Sequence, residues 1–213
     1  MENSILYGKT LVALGDSLIY GSSLGNDATW VNKLGKKHSM TVFNYGINGN
    51  SIAYAEGEPN PPMCVRYADM ADSADYVVVL GGANDKRLNI PLGGNDSRDI
   101  STFKGALNVL IDGLIEKYPK AKLLFMTNYR RWDTPNGIGL YEIDYVSAME
   151  EICHRNSIPC FNNYYNCGLS FAHPAHEAWM DEGTVLKGKT NRHFSDEAYT
   201  WLMNRYEALL AAL

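Results

Sequence analysis

A chain of 213 residues with 46% hydrophobic content is long enough to form one α/β domain with a full core and no stabilising staples. Its formal net charge of −5, with no basic stripe, argues against nucleic acid as the main partner. No apolar run approaches the ~18–20 residues needed to span a bilayer. Met1 to Tyr7 lack the basic and then apolar pattern of a signal peptide, so a cytoplasmic location is expected, with secretion open if the start has been trimmed. Cys64, Cys153, Cys160 and Cys167 include no C-x-x-C pair, which speaks against zinc and for free, mostly buried thiols. A Cys160–Cys167 bridge is expected only in an exported protein.

In chain order, Leu11 to Leu14 form a short unbroken apolar run, the pattern of a strand covered on both faces. Gly15 and Asp16 then make a turn that leaves Ser17 at the carboxyl end of that strand. A Gly/Ser-rich loop follows from Tyr20 to Asn26. Asp27 or Thr29 caps a helix running to about Ser39, with Trp30, Val31 and Leu34 on one face. Its Lys36-Lys37-His38 cluster reads as a solvated helix end. Thr41 to Tyr45 reads as a second strand ending in the polar turn Gly46 to Ser51, and Met63 to Met70 as a short helix. Asp75 to Leu80 is the clearest strand, ending in Gly81-Gly82-Ala83-Asn84-Asp85, with a loop to about Asp99. Ser101 or Thr102 opens a helix that runs to Tyr118, where Pro119 stops it. Ala121 to Thr127 is a fourth strand, Tyr141 to Asn156 a helix, and Pro159 to Asn162 a short fifth strand. An irregular stretch from Asn163 to Arg192 precedes a last helix from Ser195 to Ala212, with Ser195 as its cap. Strands alternate with helices throughout, so a parallel sheet with helices on both faces is expected. No repeat or linker divides residues 1–213, which read as a single domain.

In a parallel sheet the first three strands end on one edge. Their loops carry Ser17, Gly49 and Asn84, and a late loop carries His193. These are the residue types that acyl transfer needs. A serine hydroxyl is a weak nucleophile until a base takes its proton, and neutral imidazole is such a base. The oxyanion that forms needs preorganised donors, which backbone N–H groups and an Asn amide supply.

The chain resembles the SGNH hydrolases, also called the GDSL esterase/lipase family, from Gly15 to Tyr199. G-D-S-L at Gly15 to Leu18 resembles the first block, with Ser17 as nucleophile. I-N-G-N-S at Ile47 to Ser51 resembles the second, with Gly49 as the oxyanion glycine. Gly82-Ala83-Asn84-Asp85 resembles the G-x-N-D block, with Asn84 as the oxyanion amide. H-F-S-D-E-A-Y from His193 to Tyr199 resembles the last block, with His193 as base. The resemblance implies a three-layer α/β/α sandwich of flavodoxin-like type around about five parallel strands. It also implies a serine esterase acting through an acyl-enzyme on short-chain or acetyl esters of small molecules or carbohydrates. No metal or organic cofactor is implied, and the Ser17 N–H is a further oxyanion donor.

One position departs from the pattern. The family places Asp three residues before its histidine, where this chain has Thr190. An Asp there would orient the imidazole. Three outcomes follow. The site works as a Ser–His dyad, or Asp181 or Glu182 folds back as the acid, or activity is weakened or lost. The dyad is the favoured reading, and a non-catalytic glycan- or lipid-binding module on the same fold is the alternative from another class. His173 and His176 form H-x-x-H, but Pro174 disfavours the helix that would align them as metal ligands. His173-Pro174 is a rival base, ranked behind His193 because His193 directly precedes the last helix. His38 and His154 read as surface or packing residues. Tyr129, Trp132, Tyr141, Tyr164 and Tyr165 fall in or beside the loops of the active edge, where packing or a sugar- or aryl-binding cleft would place them. Substrate-binding residues and oligomeric state are not assigned.

Overall fold

The computed structural model describes residues 4–131, 134–169, 173–181 and 193–213. The described residues contain a five-stranded parallel sheet: β1 (Thr10–Gly15), β2 (Thr41–Gly46), β3 (Tyr76–Leu80), β4 (Lys122–Met126) and β5 (Cys160–Phe161), in the order β2-β1-β3-β4-β5. This is the strand order of flavodoxin-like doubly wound sheets. The three inner strands are almost wholly buried because helices cover both faces, which is why they read as continuous apolar runs.

Alternation along each strand sorts the core into two layers. Leu11 and Ala13 of β1, Val78 of β3 and Leu124 of β4 face one side. There they meet Leu18 and Ile19 of α1 (Ser17–Tyr20), Trp30, Val31 and Leu34 of α2 (Trp30–His38), and Tyr199, Leu202 and Tyr206 of the C-terminal helix (Asp196–Ala211). Val12 and Leu14, Val77 and Val79, and Phe125 face the other side. They meet α3 (Met63–Arg66), α5 (Phe103–Lys117) and α6 (Glu142–Arg155). The sandwich therefore has three layers.

The helix ends follow the sequence closely. The Thr29 hydroxyl accepts the Asn32 N–H at 3.4 Å at the start of α2, and the Ser195 hydroxyl accepts the Ala198 N–H at 3.2 Å at the start of the C-terminal helix. Three short helices were not expected. They are α1 itself, α4 (Ala83–Arg87) directly after β3, and α7 (Asn163–Asn166), which is followed by a 3₁₀ turn at Pro174–Trp179. Helices of four or five residues are too short to show a periodic face. The expected helix over Met63 to Met70 is α3 followed by a 3₁₀ turn at Tyr67–Asp69.

One expectation about the surface is corrected. Lys36 and Lys37 are exposed at the helix end as expected, but His38 is not, because the C-terminal helix packs across α2. His38 is only 3% exposed, and its Nε2 lies 2.6 Å from Glu207. Burial pushes the Glu207 carboxyl up, but hydrogen bonds from Lys37 and His38 outweigh it and hold the group below its usual range.

Candidate active site

β1 is followed by β2 on one side of the sheet and, later, by β3 on the other. The crevice at the carboxyl ends of β1 and β3 is thus the topological switch point, where doubly wound sheets bind ligands. Ser17 leaves β1 there as the first residue of α1, and Asn84 leaves β3 as the second residue of α4. Asp16 caps α1, its Oδ1 accepting the Leu18 N–H at 2.9 Å. The close fit of α1 to the sheet requires glycine at the end of β2: a Cβ on Gly46 would lie 2.2 Å from the Tyr20 nitrogen.

His193 reaches this edge from the far end of the chain. Its Nε2 lies 2.8 Å from the Ser17 hydroxyl oxygen, and both residues are nearly buried. A short antiparallel bridge between Met180 and Phe194 fixes the approach. The Asp181 N–H donates to the His193 carbonyl and the Ser195 N–H to the Trp179 carbonyl, both at 3.0 Å. Phe194 then packs edge-on against Tyr129 and Tyr199. The Tyr199 hydroxyl donates to the Leu18 carbonyl at 3.1 Å and ties the C-terminal helix to α1.

The bridge also places Asp181 directly opposite His193, and opposite residues of an antiparallel pair send their side chains to the same face. The Asp181 carboxylate accepts the Ser23 hydroxyl at 2.7 Å, which joins this ribbon to the loop just after the Ser17 helix. Thr190 and Glu182 lie outside the described residues.

Asn84 closes the other side of the constellation. Its Nδ2 donates to the Asn50 carbonyl at 3.1 Å and to Asp16 Oδ2 at 3.3 Å, the neighbours of Gly49 and Ser17 respectively. Gly49 has φ +76°, a conformation that L side chains rarely adopt. Ser17, Gly49, Asn84 and His193, drawn from four separate segments, therefore meet at one place.

Two buried charges support these turns: Arg66, which lies outside the motifs, and Asp85, the last residue of the G-x-N-D block. Arg66 donates from Nη2 to the Gly15 carbonyl at 2.8 Å, from Nη1 to the Tyr45 carbonyl at 2.6 Å and from Nε to Asn50 Oδ1 at 2.7 Å. It holds the ends of β1 and β2 and the second turn together. No local signal identifies it, because its partners lie 16 to 51 residues away. Asp85 is fully buried, and its two oxygens accept the Ile52 and Ala53 N–H groups at 3.0 and 2.9 Å. Arg87 was also unforeseen. Its signal is the i, i+3 spacing from Asn84, visible only once residues 83–87 are known to be helical.

Electrostatics at the site are dominated by burial. Burial pushes the Asp16 carboxyl up, against the pull of Arg131, the Leu18 N–H and Arg66. Arg66 is drawn down to about 10 by burial, against the charge of Asp16. Asp85 is pushed up to about 6, from an ordinary 3.8, because desolvation outweighs its two backbone hydrogen bonds. Folded Asp85 thus keeps a proton that the unfolded chain releases, so its contribution to stability falls as pH rises from about 4 to about 6 and levels off above. That change is roughly 3 kcal/mol. In urea titrations from pH 4 to 7, the stability gap between the protein and Asp85→Asn is expected to narrow with rising pH inside this window. A gap that stays constant across it rules the assignment out.

The remaining sequence candidates lie elsewhere or serve structure. His173 caps the Pro174–Trp179 turn, its Nδ1 accepting the Ala175 N–H at 3.1 Å, and Ser17 is bonded to His193 instead. Among the described residues no group of three or more His, Cys, Asp or Glu is gathered for a metal ion. The four cysteines are free, and Cys64, Cys153 and Cys167 are buried. Burial and the nearby Asp85 charge push the Cys64 thiol up to about 12. Of the edge aromatics, Tyr129 is a core residue, its hydroxyl 2.7 Å from that of Tyr206. Tyr141 and Tyr165 are exposed, and Trp132 lies outside the described residues.

One solved structure is 32% identical over 98% of both chains, with a TM-score of 0.87. A protein from Lactobacillus plantarum is 25% identical over 97% of this chain and 98% of its own, with a TM-score of 0.83. Est24, a carbohydrate acetylesterase from Sinorhizobium meliloti, shares the fold at 14% identity over 96% of this chain and 99% of its own, with a TM-score of 0.65. No curated protein matches the chain. The family described as GDSL-like Lipase/Acylhydrolase matches residues 13–201, a span that holds all four of the converging segments. A match over that much of the chain means that the protein belongs to the GDSL-like lipase/acylhydrolase family.

Proposed function

We propose that the protein is a serine esterase that hydrolyses short-chain or acetyl esters of small molecules or carbohydrates through an acyl-enzyme. The observation that carries this reading is the 2.8 Å contact between the Ser17 hydroxyl and His193 Nε2, with the Asn84 amide one residue away at Asp16. Ser17 Oγ attacks the ester carbonyl carbon while its proton passes to Nε2. The carbonyl oxygen gains the negative charge and is held by the Ser17 N–H, the Gly49 N–H and Asn84 Nδ2. The long 3.3 Å bond from Asn84 to Asp16 is the one most readily exchanged for the oxyanion. Collapse breaks the bond to the alcohol oxygen, which takes the proton from His193. Water then repeats the sequence on the acyl-enzyme, with His193 again as base, and releases the carboxylic acid.

Asp181 is the proposed positioning residue for His193. The position opposite His193 and the anchor on Ser23 support this role, which takes up the option of a relocated acid instead of an unaided dyad. A short acyl group is favoured because the side chains bonded to Asn84, namely Asp16 and Arg87, are polar. The likeness in fold to a carbohydrate acetylesterase agrees with this choice.

The test is labelling by a fluorophosphonate probe together with a panel of p-nitrophenyl esters from acetate to long chains. The expected result is stoichiometric labelling that is lost in Ser17→Ala, with turnover fastest for acetate and falling with chain length. Equal labelling of both proteins, or no turnover of any ester alongside retained binding to a glycan array, would favour the binding module instead.

A further inference from the structure

Arg87 is bonded to two of the three proposed oxyanion residues, Gly49 and Asn84. It stands one helical turn after Asn84 on α4. Its Nε–H donates to Asn84 Oδ1 at 3.2 Å, and its Nη2 donates to the Gly49 carbonyl at 3.2 Å, 38 residues away in the chain. Nη2 also lies 3.5 Å from Glu58, and the side chain remains about half exposed. We infer that Arg87 is a positioning residue that clamps the third-strand and second-strand oxyanion donors in one geometry. The inference rests on the esterase reading above and deepens it.

Three physical consequences follow from the contacts. A guanidinium has donors and no acceptor, so the Asn84 atom facing it must be the oxygen. The Nδ2 is thereby held towards Ser17 and Gly49 from the helix side, while Asp16 and Asn50 hold it from the other side. A charged donor on Oδ1 draws electron density from the amide and strengthens its N–H groups as donors. The bond to Gly49 keeps a turn with a positive φ at a fixed distance from α4, and oxyanion stabilisation depends on donors that need no reorganisation during the reaction. These contributions matter in the transition state, when charge develops on the substrate oxygen, and little in the ground state. A residue that only anchored a surface loop through Glu58 would show none of them.

Steady-state kinetics on p-nitrophenyl acetate separate these cases. In Arg87→Met, kcat is expected to fall about ten- to a hundred-fold with KM within about threefold of wild type. Arg87→Lys keeps the charge but cannot bridge both acceptors, so it is expected to recover only part of the loss. Millimolar guanidinium is expected to restore part of the rate of Arg87→Ala and to leave wild type unchanged. Glu58→Gln, which removes the ion pair and neither oxyanion contact, is expected to stay within about twofold of wild type. The final stoichiometry of fluorophosphonate labelling reports the folded fraction of each variant and normalises its rate. An unchanged kcat in Arg87→Met overturns the inference, as does a loss confined to KM, an equal loss in Glu58→Gln, or no recovery by guanidinium. If wild type itself neither labels nor turns over, the esterase reading falls and the clamp with it. If wild type is active and the Arg87 variants match it, the clamp alone falls.

Discussion

Ser17→Ala is expected to lower kcat/KM for p-nitrophenyl acetate by about 10⁴-fold or more, and His193→Ala by a similar factor. In the proposed mechanism the hydroxyl and the imidazole act as one unit across their 2.8 Å contact, so the double variant is expected to be no slower than either single one. Neither change should unfold the chain. Ser17 loses only a hydroxyl at the start of a helix whose cap, Asp16, remains in place. Asp181 is tested in the same series. If its carboxylate stabilises the imidazolium, Asp181→Asn lowers the pH midpoint of the acidic limb of kcat/KM as well as the rate, because a nearby negative charge raises the pKa of a histidine. A rate loss with an unmoved limb would assign Asp181 to anchoring the ribbon through Ser23 alone. A tenfold or smaller effect of Ser17→Ala would remove Ser17 from the chemistry altogether.

Arg66→Met is expected to have the largest effect on stability. The side chain is buried and its guanidinium supplies three hydrogen bonds to groups at the ends of β1 and β2 and in the turn after β2. Methionine fills much of the volume and supplies no donor. The buried acceptors it abandons, together with the lost partner of Asp16, place the cost at about 3–5 kcal/mol. For a chain of this length that is a fall in melting temperature of roughly 10 °C. Arg66→Lys keeps a charge but reaches fewer acceptors and is expected to recover less than half. A cost below about 1 kcal/mol in urea unfolding would mean that water replaces the guanidinium at those carbonyls. Because the same bonds set the spacing between the Ser17 and Gly49 turns, activity is expected to fall in Arg66→Met even at temperatures where the variant is fully folded.

The sequence determined the layered α/β architecture, and it did so through local physics. Val77-Val78-Val79 reads as a strand covered on both faces, being short, β-branched and bounded by turn residues, and the apolar period of residues 103–114 reads as a helix lying on one face. The same locality singled out Ser17, Gly49, Asn84 and His193 as candidates, since each sits in a short motif directly beside an element that is easy to read, and the fold brings these segments together. Tertiary structure decided the rest, because those features depend on contacts between segments far apart in the chain. Asp181 meets His193 only through the pairing of Met180 with Phe194. Arg66 finds its carbonyls only after β1 and β2 lie side by side, and His38 is buried only because the C-terminal helix crosses α2. Arg87 is intermediate. Its spacing from Asn84 was present in the sequence, but a helix of five residues has too few turns to reveal a face, and its bond to Gly49 exists only across the switch point of the sheet.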